Sequence, residues 1–348
     1  MTTANNKRAN TDVERQTSMT NAEPDVLRTP LLRWRPRLAT WAPLFVFLLL
    51  CVLIALINPR FLTFGNFVRI AQAAMIPLVL GLGATFVILM GSIDLSVEGV
   101  VALGAVLTSL LVLNGANNND LGLSGLGIVI VVGAAVGFIN GMVHVRLRIP
   151  SFMTTLGTWF VAAGAANALL GGIAVRINDS TVRGLALERF LGFPWGVWLA
   201  LAALGAAYFI QDHTRLGRYM YALGGGEELA TLSGIKVARV RIAVFTLAGA
   251  FYALGGILSA AQLGLGNAQV GQGRLFTTIT AVVVGGTALS GGEGSVLQTL
   301  VGVLIVTVLA NGMVLMGISP SIQTAVQGLM IIVAVALSID RERLRIVK

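Results

Sequence analysis

Ten apolar runs recur along this chain, near residues 41–58, 67–90, 97–114, 122–143, 152–174, 195–211, 241–263, 275–290, 295–316 and 321–338. A bilayer core is crossed by about 20 mainly apolar helical residues, and a backbone in lipid must satisfy its own hydrogen bonds. The runs therefore predict an all-α integral membrane protein of about ten transmembrane helices. Two places are irregular. The second and third runs are separated only by Gly91-Ser-Ile-Asp-Leu-Ser96, and the eighth is short and holds Gly285-Gly286. Short or broken helices are expected near 91–96 and 275–294. Charge content agrees with a lipid-covered surface: 11% of residues are charged, against roughly 25% in soluble domains. The 42 glycines among 348 residues suit helices that pack closely through small side chains.

Basic residues orient the spans. With the N-terminus in the cytoplasm, 18 of the 24 Lys and Arg fall on the inner side. They lie in 1–40, at Arg146 and Arg148, in 212–241 and in 341–348. Arg60, Arg69, Arg176, Arg183, Arg189 and Arg274 are left outside. This bias places both termini inside. The net charge of +9 is thus a topology signal, not a nucleic-acid signature. Residues 1–40 read as a basic, largely disordered cytoplasmic tail, 41–340 as the membrane domain and 341–348 as a basic cytoplasmic end. No cleavage site follows the first run, which reads as a retained helix. The longest outer loop, 175–194, has room for a short surface helix. The single Cys51 permits no disulfide within one chain.

The segment 212–240 is too polar for lipid and too patterned for a plain linker. Gly224, Gly225 and Gly226 lead into Glu227-Glu-Leu-Ala-Thr-Leu-Ser233, which can form about two helical turns, and Gly234 can stop it. A short helix held outside the bilayer on the basic side points to docking of a partner protein. The alternative is a helix lying on lipid headgroups, which the acidic pair Glu227-Glu228 disfavours.

Chemistry-bearing motifs are few. The chain has no Gly-Lys pair, so it lacks a phosphate-binding Gly-x-x-x-x-Gly-Lys-Ser/Thr loop. Its two histidines, His144 and His213, have no second ligand at metal spacing. No Gly-x-Ser-x-Gly or Ser/His constellation is present. No catalytic, metal or cofactor site is expected. Asp94 and Glu98 are four apart and share a face if 94–98 is helical. Facing lipid, each would cost about 2.5–3.5 kcal/mol. They are expected to line a translocation path, or to act as an N-cap (Asp94 or Ser96) and a first-turn acid (Glu98) of the third span. Glu293, in a glycine cluster, marks either a close backbone approach or a simple turn. Asn140, Thr154, Thr155, Thr158, Asn167, Gln298, Asn311, Gln323 and Gln327 lie within spans, where they bond between helices or line a polar path. Asp94, Ser96, Glu98, Asn140, Thr155, Thr158 and Asn311 are the path candidates.

Several motifs in order resemble the permease subunits of bacterial ribose-type sugar ABC importers. They are Gly91-Ser-Ile-Asp-Leu-Ser-Val, Ile149-Pro-Ser-Phe-Met-Thr-Thr-Leu-Gly-Thr158, Gly217-Arg-Tyr-Met-Tyr-Ala-Leu-Gly-Gly-Gly-Glu-Glu-Leu-Ala-Thr-Leu-Ser-Gly-Ile, Val284-Gly-Gly-Thr-Ala-Leu-Ser-Gly-Gly-Glu-Gly-Ser-Val and Gly317-Ile-Ser-Pro320. The likeness runs from about residue 41 to 340. It implies a dimeric inner-membrane permease, with a second copy or a paralogue, two cytoplasmic ABC ATPase subunits below and a periplasmic solute-binding protein above. It also implies that the ATPase couples through Gly224–Gly234, with Glu227, Glu228, Leu229 and Leu232 at the contact. The chain departs from the family pattern at Ser92, where the family usually has Gly, at the added charge of Glu98, and in 269–278, which carries no acid. These departures bear on the solute. The competing readings are an ion-coupled secondary transporter using Asp94 or Glu98, and a branched-chain amino-acid-type ABC permease.

Overall fold

The computed structural model describes residues 35–338; of the expected tail 1–40 only 35–40 are described, as the opening of a helix, and the basic end 341–348 lies outside the described residues. Contacts divide the chain into Met1–Ala42 and Pro43–Lys348. Of the first unit only the opening turns of a helix are described; all the other elements belong to the second.

Thirteen α-helices are described: α1 (Arg35–Ile57), α2 (Phe64–Leu89), α3 (Val97–Leu111), α4 (Gly122–Leu147), α5 (Ser151–Leu170), α6 (Ser180–Leu187), α7 (Trp195–His213), α8 (Arg215–Gly225), α9 (Glu227–Leu232), α10 (Val237–Leu263), α11 (Arg274–Val284), α12 (Val296–Leu315) and α13 (Pro320–Ser338). One underlies each expected span, and α6, α8 and α9 fill polar connectors. Four two-residue strands form small antiparallel pairs, β1 (Val175–Arg176) with β4 (Leu265–Gly266) and β2 (Arg189–Phe190) with β3 (Phe193–Pro194). The fold is all-α. Among the described residues, α2, α4, α5, α10 and α12 are long and apolar enough to cross a membrane, while the apolar part of α1, α3 and α11 are shorter. At about 1.5 Å per residue, the 11-residue α11 covers only about half of a hydrocarbon core of ~30 Å.

Burial sorts the helices into layers. In its most apolar stretch α2 is 83% buried, whereas α4 and α5 are each 22% buried. A helix that is apolar all round and buried belongs to the interior; α2 and α10 fill that place. The outer helices expose Val131, Phe138 and Ile139 on α4 and Phe160 and Val161 on α5. An apolar surface of this extent needs lipid or a partner. Packing of α4 on α10 rests on Gly133, Gly137 and Gly141, one per turn along α4. A Cβ on Gly137 would strike the carbonyl of Phe245, and one on Gly249 would strike that of Gly133. Glycine here lets two backbones touch, which is how helices gain contact where lipid competes equally for apolar side chains.

Candidate functional site

The break between α2 and α3 is surrounded by buried polar side chains. The chain leaves α2 through Gly91, whose φ of +76° is left-handed and favours glycine. Unwound backbone at membrane depth persists only where protein satisfies its amides. Here α5 supplies the acceptors: Ile93 N–H donates to Ser151 Oγ at 3.1 Å and Leu95 N–H to Thr155 Oγ1 at 2.9 Å. Asp94 Oδ1 accepts from Ser96 N–H at 2.8 Å and from the Ser96 hydroxyl at 2.6 Å. Ser96 Oγ in turn accepts from Asn140 Nδ2 on α4 at 3.1 Å, and Thr158 on α5 donates to Asn140 Oδ1 at 2.5 Å. Four of the seven path candidates, Asp94, Ser96, Asn140 and Thr158, thus form one hydrogen-bonded chain from the break to α4 and α5, and Thr155 joins the break through Leu95 N–H. Asn140 and Thr155 are fully buried.

Two expectations for Asp94 and Glu98 change. They do not share a helix face, because α3 begins only at Val97. Ser96 occupies the N-cap position without a side-chain cap bond, since Asp94 engages its hydroxyl. Asp94 is not a helix cap; it closes a two-residue turn that feeds the chain into α3. Its Oδ2 has no hydrogen-bond partner, and neither has the buried phenol of Tyr252 on α10. Glu98 lies in the first turn of α3, as expected, and its carboxylate reaches a different helix. Its Oε1 accepts from Leu275 N–H at 3.1 Å, so it caps α11 from across the bundle. The residue at the N-cap of α11 is Gly273, which has no side chain to do this. Asn311 also lies apart, in a reciprocal amide pair with Asn66 at 3.0 Å in both directions that ties α12 to α2.

The polar connector forms a second constellation. Thr214 caps α8, accepting from Gly217 N–H at 3.3 Å. After α9, Gly234 adopts φ +80°. Its N–H reaches Thr231 O at 3.0 Å, and Ile235 N–H reaches Ala230 O at 3.1 Å. That crossed pair is a Schellman stop, and only glycine takes the left-handed position without strain. On α9, Ala230 is buried while Leu229 and Leu232 are 71% and 78% exposed. Glu227 Oε2 is paired with Arg241 Nη2 of α10 at 2.7 Å, which leaves Glu228 as the exposed acid of α9 without an ion pair among the described residues. Beside the pair, His144, Arg148, Glu227 and Arg241 line a cavity of about 450 Å³.

Gln211 and Tyr221 escape a reading of the sequence alone. Buried Gln211 accepts from Val296 N–H through Oε1 at 2.8 Å. Tyr221 donates to Gly294 O at 2.7 Å. Burial, and then the negative charge of Asp212, push the Tyr221 phenol up to about 12, so it remains an O–H donor at ordinary pH. The one local signal is a glutamine ending an apolar run; the partners lie 85 and 73 residues away. At the far end of the bundle, Arg176, Asn178, Ser180 and Arg183 line a cavity of about 690 Å³ beside β1 and β4. Among the described residues, no group of three or more His, Cys, Asp or Glu could hold a metal ion.

This geometry is that of an all-α chain with several helices long and apolar enough to cross a membrane and a short helix, α9, that exposes two leucines. Residues 66–335 match the family described as branched-chain amino acid transport system / permease component, and the chain belongs to that family. It is 35% identical over 268 residues to the ribose import permease protein RbsC of Escherichia coli K12, covering 76% of this chain and 82% of that one. It is 31% identical over 297 residues to the L-arabinose ABC transporter permease protein AraH of Azospirillum brasilense, covering 84% and 86%. Against the L-arabinose transport system permease protein AraH of E. coli K12 it is 33% identical over 263 residues, covering 76% and 79%. Comparison with solved structures gives no match.

Proposed function

We propose that this chain is the membrane subunit of an ATP-driven importer for a sugar, pentoses first, in a bacterial inner membrane. The observation that carries the reading is identity of 31–35% to ribose and arabinose permeases across three-quarters or more of the chain. The family's description names branched-chain amino acids, which makes them the second solute class to test. Without a phosphate loop, hydrolysis falls to separate ABC ATPase subunits. Gly224–Gly234 is their docking segment, supported by the exposure of Leu229 and Leu232 on a helix too short to be a span. The charge asymmetry supports cytoplasmic termini and puts this segment on the same side. The periplasmic binding protein then approaches the opposite face, and a second permease copy or paralogue covers part of the exposed apolar surface. The cluster at Asp94, Ser96, Asn140, Thr155 and Thr158 holds the α2–α3 break in shape, a reading its depth of burial supports over one in which it lines an open path.

Reconstitution in proteoliposomes tests this. Labelled ribose and arabinose should enter only when the ATPase, ATP and the binding protein are all present, with leucine taken up more weakly or not at all. Uptake driven by a proton or sodium gradient without an ATPase would overturn the reading in favour of a secondary transporter.

A further inference from the structure

We propose that the loop from Gly285 to Ser295, between α11 and α12, receives the ATPase stroke, and that Tyr221 is the positioning residue that passes the stroke to it. This rests on α9 being the docking helix. The side chains of α9 reach the rest of the molecule through buried Ala230 and the exposed Glu227–Arg241 ion pair, and such ion pairs are weak links. The firm attachments lie just before it, on α7 and α8, and they converge on the same loop. Tyr221 donates to Gly294 O at 2.7 Å. Gln211 accepts from Val296 N–H, just beyond the loop, at 2.8 Å. Gly224 packs so closely that a Cβ there would collide with Gly292 N and Leu89 O, and it would stand 2.9 Å from the carbonyl carbon of Gly291.

The loop passes the contact inward. Gly292 N–H donates to Leu89 O, the end of α2, at 2.9 Å. A Cβ on Gly291 would stand 2.8 Å from Gly91 Cα. These contacts are backbone against backbone, with no flexible side chain between them to absorb a displacement, and close-packed contacts transmit strain. From Gly91 the chain continues into the break whose amides are held by Ser151 and Thr155 of α5. A displacement of α9 therefore reaches the α2–α3 break through loop 285–295.

The test uses the complete transporter in lipid nanodiscs. Hydrogen exchange is compared with and without a non-hydrolysable ATP analogue, and solute moved per ATP is measured for Tyr221→Phe in proteoliposomes. Protection in 221–234 and 285–296 should change together. Tyr221→Phe keeps the shape of the ring and should keep ATPase co-purification and basal ATP hydrolysis. Solute per ATP should fall about two- to tenfold, the range spanned by one net hydrogen bond. A response in 221–234 without one in 285–296, or a wild-type solute-to-ATP ratio in Tyr221→Phe, overturns the proposal. A nucleotide response missing from 221–234 as well would strike the docking reading, and this proposal with it.

Discussion

Replacing Glu98 separates its two candidate roles, a charge on a solute path and a cap on α11. In the structure its carboxylate accepts Leu275 N–H at 3.1 Å and is buried. Glu98→Ala removes the acceptor and leaves that N–H unpaired, which costs about 1–3 kcal/mol. Loss of a negative charge at a helix N-terminus adds about 0.3–1 kcal/mol. Together they come to about 1.3–4 kcal/mol. Glu98→Gln keeps one acceptor oxygen of the same shape, exchanges the other for an amide NH2 and loses the charge, which by itself costs about 0.3–1 kcal/mol. Thermal unfolding of the purified permease in nanodiscs reads the difference. Domains of 150–250 residues shift by about 2–4 °C per kcal/mol, and longer chains by less. Glu98→Ala should therefore melt a few degrees below Glu98→Gln, and Glu98→Gln should retain most uptake. If both variants melted like the parent chain and both lost uptake, the cap argument would be refuted.

Two further substitutions probe the connector. Gly224→Ala puts a Cβ onto Leu89 O and Gly292 N, main-chain atoms that cannot rotate away; overpacking of this kind costs about 1–3 kcal/mol. Uptake should collapse, and normal uptake would show that these backbones do not need their close approach. Leu229→Ala with Leu232→Ala removes side chains that are 71% and 78% exposed, so the melting midpoint should hold to within about 0.5 kcal/mol of stability. ATPase affinity should drop at least tenfold, because burying one leucine is worth about 1.5–3 kcal/mol. Unchanged affinity in a binding titration would move the docking surface away from α9.

Much of the fold is legible in the sequence because membrane helices are a local problem. A run of apolar residues long enough to cross lipid has one way to satisfy its backbone, and each expected run carries a helix. The stop at Gly234 is equally local, since a left-handed residue two positions beyond the last helical turn favours glycine. Local reasoning misleads at 94–98. It makes Asp94 and Glu98 neighbours on one helix, whereas three residues of unwound chain turn Asp94 back onto Ser96 while Glu98 points to α11. The shortness of α11 agrees with the short or broken helix expected near 275–294. The apolar run continues to residue 290, but the helix ends at Val284 before Gly285 and Gly286.

Sequence alone determined the class of molecule: an all-α membrane chain with a polar segment between two spans that holds a glycine-stopped helix. These features come from hydropathy, charge and backbone propensity, which act over a few residues. Tertiary structure decided what the polar residues in the apolar part do. Glu98 meets Leu275 across 177 positions, Asn66 meets Asn311 across 245, and Gly224 touches both Leu89 and Gly292. Such pairings leave no periodic trace along the chain. Burying a polar group creates a demand for a partner without naming one, and only the packing of helices distant in sequence chooses it.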